Sequence, residues 1–137
     1  YNMGDYFQHW LLLGSKLRNP PKVFHVNWFR TNESGKFLWP GFGENVRVLD
    51  WILRRVERTV EAQGSPIGLV PRAGELNVEG LGLSSESQRQ LFEIKPSEWL
   101  AEANRTLDFL AQFKSRLPAA LLNEHQLLIA RLSRALS

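Results

Sequence analysis

The sequence predicts an α+β chain, mainly helical, with a short β-hairpin and one further short strand. Three observations carry that prediction. Apolar residues recur with a period near 3.6 over most of the length, one run rich in β-branched and aromatic residues alternates instead, and prolines and glycines mark the boundaries.

The elements follow in order. In section 1–21, Tyr6, Phe7, Trp10, Leu11 and Leu13 trace one face of a helix, with Asn2 as a cap and Pro20-Pro21 as a stop. Section 22–43 reads as a hairpin and an aromatic loop. In KVFHVNWF, Phe24, Val26 and Trp28 fall on one face and Val23, His25, Asn27 and Phe29 on the other. The polar run RTNESGK then turns the chain into a short return strand, Phe37 to Trp39. Over 44–64, Val46, Leu49, Ile52, Leu53, Val56 and Val60 give the clearest helical period, with Gly64 placed as a left-handed cap. Section 65–84 carries too many glycines and prolines for a helix and is expected to wrap, with one strand at Ile67 to Val70. The tail, 85–137, is helical: a short piece capped at Ser85 with Gln88 at the box position, a long helix from Pro96 to about Leu117, and a last one after Pro118.

The totals bound what such a chain can do. With 137 residues, 43% apolar and 23% charged, it falls in the range of a single globular unit. Absence of cysteine removes disulfides and thiolate ligands and suits a reducing, cytoplasmic setting. No apolar run approaches the roughly 20 residues of a spanning helix, so no membrane association is expected. A formal charge of +3, with basic residues scattered among acidic ones, does not call for nucleic acid. The opening YNMGDYFQHW enters a helix with almost no lead-in and reads as the interior of a longer protein.

Several chemistries lack their residues. GFGENV has Val46 where a dinucleotide fingerprint needs its third glycine, and no GxxxxGK[ST] loop occurs. His9, His25 and His125 are far apart and have no partner at metal-ligand spacing, so no metal ligand is assigned.

The stretch FLWPGFGEN, Phe37 to Asn45, remains. Glu44 puts a carboxylate at the start of the following helix, where a phosphate would be repelled. A flat, neutral, hydrogen-bonding group suits the place better: Phe29, Phe37 and Phe42 offer π faces, and the Asn45 amide offers a donor and an acceptor. A nucleobase has those properties, but the amide matches either purine by flipping unless neighbours fix it. A second reading stays open on the residues alone. Trp28, Phe37, Trp39 and Phe42 can serve as a packing cluster, and Asn45 as a helix cap. Arg47, Arg54, Arg55 and Arg58 read as a solvated face paired with Glu57 and Glu61. A different class of function, a small helical module binding single-stranded nucleic acid or a partner helix, would use that basic helix and the exposed aromatics.

VNWFR, the glycine turn and GKFLWPGFGENVRVLDWILRRVE together resemble the guanine-binding segment of the GTP-dependent phosphoenolpyruvate carboxykinases. YNMGDYFQHWL is similar to that family's YNFGxYLxHWL, and SPIGLVP with LNVEGL is similar to its TPIGxVP and LNLxGL, so the likeness covers roughly residues 1–100. It implies the C-terminal part of a larger, two-lobed, monomeric enzyme that uses GTP to convert oxaloacetate to phosphoenolpyruvate, GDP and carbon dioxide in gluconeogenesis. By the resemblance, Phe29, Phe37 and Phe42 form the base slot, Trp28 backs it, Phe42-Gly43-Glu44-Asn45 is its wall, and Asn45 reads guanine. Val46 stands where the family often has serine. The family's phosphate loop, its metal ligands for manganese or magnesium and its substrate arginines correspond to nothing here. The resemblance therefore implies partners in the guanine nucleotide and the N-terminal remainder of the same enzyme, and no turnover by this chain alone.

Overall fold

A computed structural model describes residues 1–137. The chain gathers into two compact units: residues 22–94 form one, and residues 1–21 with 95–137 form the other.

In the second of these, α1 (Met3–Lys16) starts as expected at Asn2, whose side chain accepts a 2.8 Å hydrogen bond from the Gly4 amide. Its end falls at Leu17, which turns extended before the proline pair. Gly4 is buried, and a Cβ there would stand 2.8 Å from the Arg116 carbonyl carbon, so α1 and the 3-10 turn at Lys114–Arg116 meet closely. Phe7 meets Phe113 edge to face at 5.4 Å beside that approach. Two long helices complete the unit. α4 (Pro96–Ala111) is shorter than the sequence suggests, and α5 (Ala119–Arg134) follows Pro118. His125 is a core histidine: its Nε2 donates to the Ala103 carbonyl at 2.8 Å, across the two helices.

The unit of residues 22–94 is built around Trp39, Trp51, Val60 and Leu76. α2 (Asn45–Val56) follows a 3-10 turn at Phe42–Glu44. It ends eight residues before Gly64, because Arg58 takes the left-handed conformation (φ 62°) and Thr59 and Arg58 donate to the carbonyls of Arg54 and Arg55. Val60 prolongs the apolar period only by coincidence; it enters the core from the loop. Gly64 lies instead in β1 (Ala62–Ser65), which pairs antiparallel with β2 (Gly68–Pro71), Ala62 opposite Pro71 and Ser65 opposite Gly68. The hairpin of this fold therefore sits at 62–71 and not at 22–39.

The segment 22–29 nevertheless behaves as the alternation predicts. Phe24, Val26 and Trp28 are half-buried while Val23, His25, Asn27 and Phe29 face out, but no strand lies alongside to form a ladder. One bridge, Thr31 to Phe37, and a 2.8 Å bond from the Leu38 amide to the Arg30 carbonyl are all that the return supplies before Pro40 ends it. The turn between them is closed by the Asn32 carboxamide, which accepts from the amides of Ser34 and Lys36.

α3 (Ser85–Phe92) is capped by Ser84, one residue earlier than expected, and Gln88 reaches back to the Leu83 carbonyl. On its exposed face Arg89 bonds Glu86 and Glu93, and together with Gln90 holds the Glu86 carboxyl below its ordinary range.

α2 is turned differently from its sequence period. Its buried side is Val48, Trp51 and Ile52, whereas Val46, Leu49, Leu53 and Val56 stand exposed, Val56 least at 49%. The helix is apolar on two sides, and the more regular stripe lies outside the core of this unit.

Two backbone sites give testable costs. Arg58→Gly relieves a left-handed side chain and is expected to raise stability by about 1 kcal/mol in urea unfolding. Gly41, at φ 132° and ψ −172°, occupies a region closed to side chains, so Gly41→Ala is expected to cost about 1–3 kcal/mol in the same measurement.

Candidate functional site

The aromatic loop is held from below by its own tryptophans. Leu38 and Trp39 are buried, which fixes the ends of the short return, and Trp28 lies against Trp39 with ring centroids 6.2 Å apart. Phe37 and Phe29 point the other way, as the alternation about Leu38 and Trp28 demands, and meet each other at 6.1 Å in a tilted, edge-on contact. Pro40 and Gly41 then redirect the chain into the 3-10 turn, which carries Phe42 outward.

The three phenylalanines are the most exposed aromatic rings among this unit's large hydrophobics: Phe29 is 74%, Phe37 59% and Phe42 90% accessible. Phe29 and Phe37 come together. Phe42 touches neither ring, so both of its faces are open. A cavity of about 270 Å³ borders Phe37, with Lys36, Leu38, Leu83, Ser84 and Ser87 in its wall. It reaches none of Phe29, Phe42 and Asn45; the two rings stand on open surface and Asn45 is half-buried. Trp28 belongs to the packed layer beneath, so the packing and surface readings of the aromatics are both realised, by different residues.

Asn45 begins α2 and its side chain is not a helix cap. Its Oδ1 accepts a 2.8 Å hydrogen bond from the Trp39 indole Nε1, and its Nδ2 donates no bond within the chain. Glu44 is not a free carboxylate: Arg47 Nε donates to it at 2.7 Å, which offsets the charge at the helix start that would oppose an anion. Gly43 differs from Gly41 in having no positive φ, and like it has open space where a Cβ would stand.

The arginines of α2 are engaged, but none of them with Glu57 or Glu61, the carboxylates expected. Arg47 also donates to the Asn77 carbonyl, Arg54 pairs with Asp50 and donates to the Glu75 carbonyl, and Arg55 donates to the Val60 carbonyl. They strap the wrapping connection to the helix, which removes the basic rail that a nucleic-acid reading would use. One structural residue escaped the sequence reading. Arg30, the last of VNWFR, reaches the carbonyls of Leu91 at 3.1 Å and Glu93 at 2.6 Å and so satisfies the C-terminal end of α3. A sequence separation above 60 leaves no local signal for it.

No group of three or more histidine and acidic side chains is placed to hold a metal ion, and no helix is long and apolar enough to cross a membrane.

Residues 1–131 match the family model of the phosphoenolpyruvate carboxykinase C-terminal P-loop domain. The chain is 47% identical over 136 residues to phosphoenolpyruvate carboxykinase (GTP), mitochondrial, of Mus musculus, covering 98% of this chain and 21% of that protein. It is 46% identical over 133 residues to the mitochondrial protein of Homo sapiens (96% and 20%). It is 40% identical over 127 residues to phosphoenolpyruvate carboxykinase (GTP) of Thermoplasma volcanium (93% and 21%). The chain thus spans about a fifth of the length of these relatives, and the match extends through the helical tail. On a family match over nearly its whole length, this chain belongs to the GTP-dependent phosphoenolpyruvate carboxykinases, as a segment of their C-terminal P-loop domain.

Proposed function

We propose that this segment supplies the guanine-recognition surface of an enzyme that converts oxaloacetate and GTP to phosphoenolpyruvate, GDP and carbon dioxide. The observation that carries the reading is Phe42, an aromatic ring with two open faces, three residues before a carboxamide whose amino group is unused. Exposing a phenylalanine to water costs about 1.5–3 kcal/mol relative to burying it, so a ring held out on an ordered turn suits a ligand that covers it. The Phe29–Phe37 pair supplies further apolar surface, Trp28 supports that pair, and Gly43 leaves the backbone of the wall unobstructed. Glu44, paired with Arg47, keeps the turn close to neutral, which suits an uncharged base at this place.

The phosphate loop, the divalent metal (manganese or magnesium) and the groups that act on oxaloacetate belong, in this reading, to the remainder of the enzyme. The metal would neutralise phosphate charge when bound; nothing in this chain fits it. The principal partner is then that N-terminal remainder. Two features favour it: the outward stripe of Val46, Leu49, Leu53 and Val56, and the extended segment 22–29, which alternates like a strand and has none beside it. By the family resemblance the reading carries a monomeric enzyme of the cytoplasm or the mitochondrion with it, and two relatives are mitochondrial by name.

In the full-length enzyme Phe42→Ala removes one stacking face, and steady-state kinetics should show the nucleotide KM rising roughly tenfold to hundredfold. An unchanged KM would mean that the ring has another role. Leu53→Asp should cost about 3 kcal/mol or more in the full-length enzyme but less than about 0.5 kcal/mol in the 137-residue chain, read by urea unfolding of both. Equal effects in the two would refute the covered stripe.

A further inference from the structure

An asparagine carboxamide is nearly symmetric in shape and opposite in chemistry at its two ends, so a site that reads a base through it needs something to decide which end faces out. Trp39 has the required property. Its indole N–H is a donor and never an acceptor, it is 5% exposed, and it lies 2.8 Å from Asn45 Oδ1. In the opposite rotamer the Asn45 amino group would face that N–H, two donors against each other, and a buried donor would lose its bond. One orientation is therefore strongly favoured, and it leaves the Nδ2 hydrogens as the outward group.

We propose that Trp39 is the positioning residue that sets the base preference of this segment, by holding Asn45 as an outward donor. The inference rests on the reading of Phe42 and Asn45 as base contacts. Its content is a rule about one position of the purine. At carbon 6 guanine carries the acceptor O6 and adenine carries the amino donor N6. A fixed donor accepts the first and meets the second donor to donor. Hypoxanthine also carries O6, so the rule tolerates an inosine nucleotide and rejects an adenosine one, and assigns the 2-amino group of guanine no contact with Asn45. Burial of the tryptophan is what gives the rule its strength, since an exposed indole could turn to water and release the amide.

The test uses the full-length enzyme with GDP, IDP and ADP as alternative nucleotides, and compares kcat/KM within each variant so that any loss of folded protein cancels from the ratio. In Trp39→Phe the GDP-to-ADP ratio should fall roughly threefold to tenfold, the worth of one hydrogen bond. The GDP-to-IDP ratio should stay as in the unaltered enzyme, since both bases carry O6. Should Trp39→Phe fail to fold, β-benzothienylalanine introduced at position 39 keeps the bicyclic shape and lacks only the N–H. Asn45→Asp, which keeps an acceptor for Trp39 and presents a second one outward, should shift preference toward ADP. If Asn45→Asp shifts the ratio and the N–H-less variants do not, Trp39 has no positioning role and the base site survives. If Asn45→Asp leaves the ratio unchanged, the base contact itself falls and this inference with it.

Discussion

The fold of residues 22–94 depends on a requirement that a buried indole imposes. Trp39 contributes one of the largest apolar surfaces of the core, and its N–H, unlike that of the buried Trp51, leaves water for a matching acceptor. The match is made by the first side chain of α2. One hydrogen bond thus joins the end of the extended return to the start of a helix, across a proline, a left-handed-side glycine and a single 3-10 turn. That closure brings the aromatic loop onto the core and determines where its remaining rings can go. With Leu38 and Trp39 inward, alternation sends Phe37 outward, and Phe42 follows the turn into solvent.

Around this bond the unit uses arginine as its principal connector. Arg47 and Arg54 donate to carbonyls of the connection 72–84, Arg55 to the loop that follows α2, and Arg30 to the end of α3. These contacts satisfy carbonyl groups that irregular backbone would otherwise present unpaired. They also explain how a chain with modest regular structure holds its irregular segments against a core of few residues. The charges of α2 are thereby spent internally, and the surface that remains available around Phe42 is aromatic, polar and nearly neutral.

Much of this was legible in the sequence. The helices were, because period, caps and prolines agree at Asn2, Pro96 and Pro118. The two faces of 22–29 were legible too, since side-chain alternation follows from the extended backbone and needs no partner strand. What the sequence hid is of two kinds. Period alone cannot say which of two apolar stripes on α2 faces the core, and it carried the helix past Arg58, whose left-handed turn has no glycine to announce it. Nor could local pattern place the hairpin at 62–71, where AQGS has no strand-like residues and is recruited by its pairing with GLVP. At the site, the residue types and their exposure were foreseeable from FLWPGFGEN, but the Trp39–Asn45 bond was not, because a six-residue separation across a 3-10 turn has no periodic signature.

The proposed site holds a purine against an open phenylalanine ring with its carbon-6 edge toward an amide that can only donate. A crystal structure of the full-length enzyme with GDP tests this most directly. The account predicts the guanine ring stacked on Phe42, its O6 within about 3 Å of Asn45 Nδ2, and Asn45 Oδ1 still held by Trp39. A guanine bound away from Phe42, or an Asn45 carboxamide that has released Trp39 and turned its oxygen to the base, would contradict it.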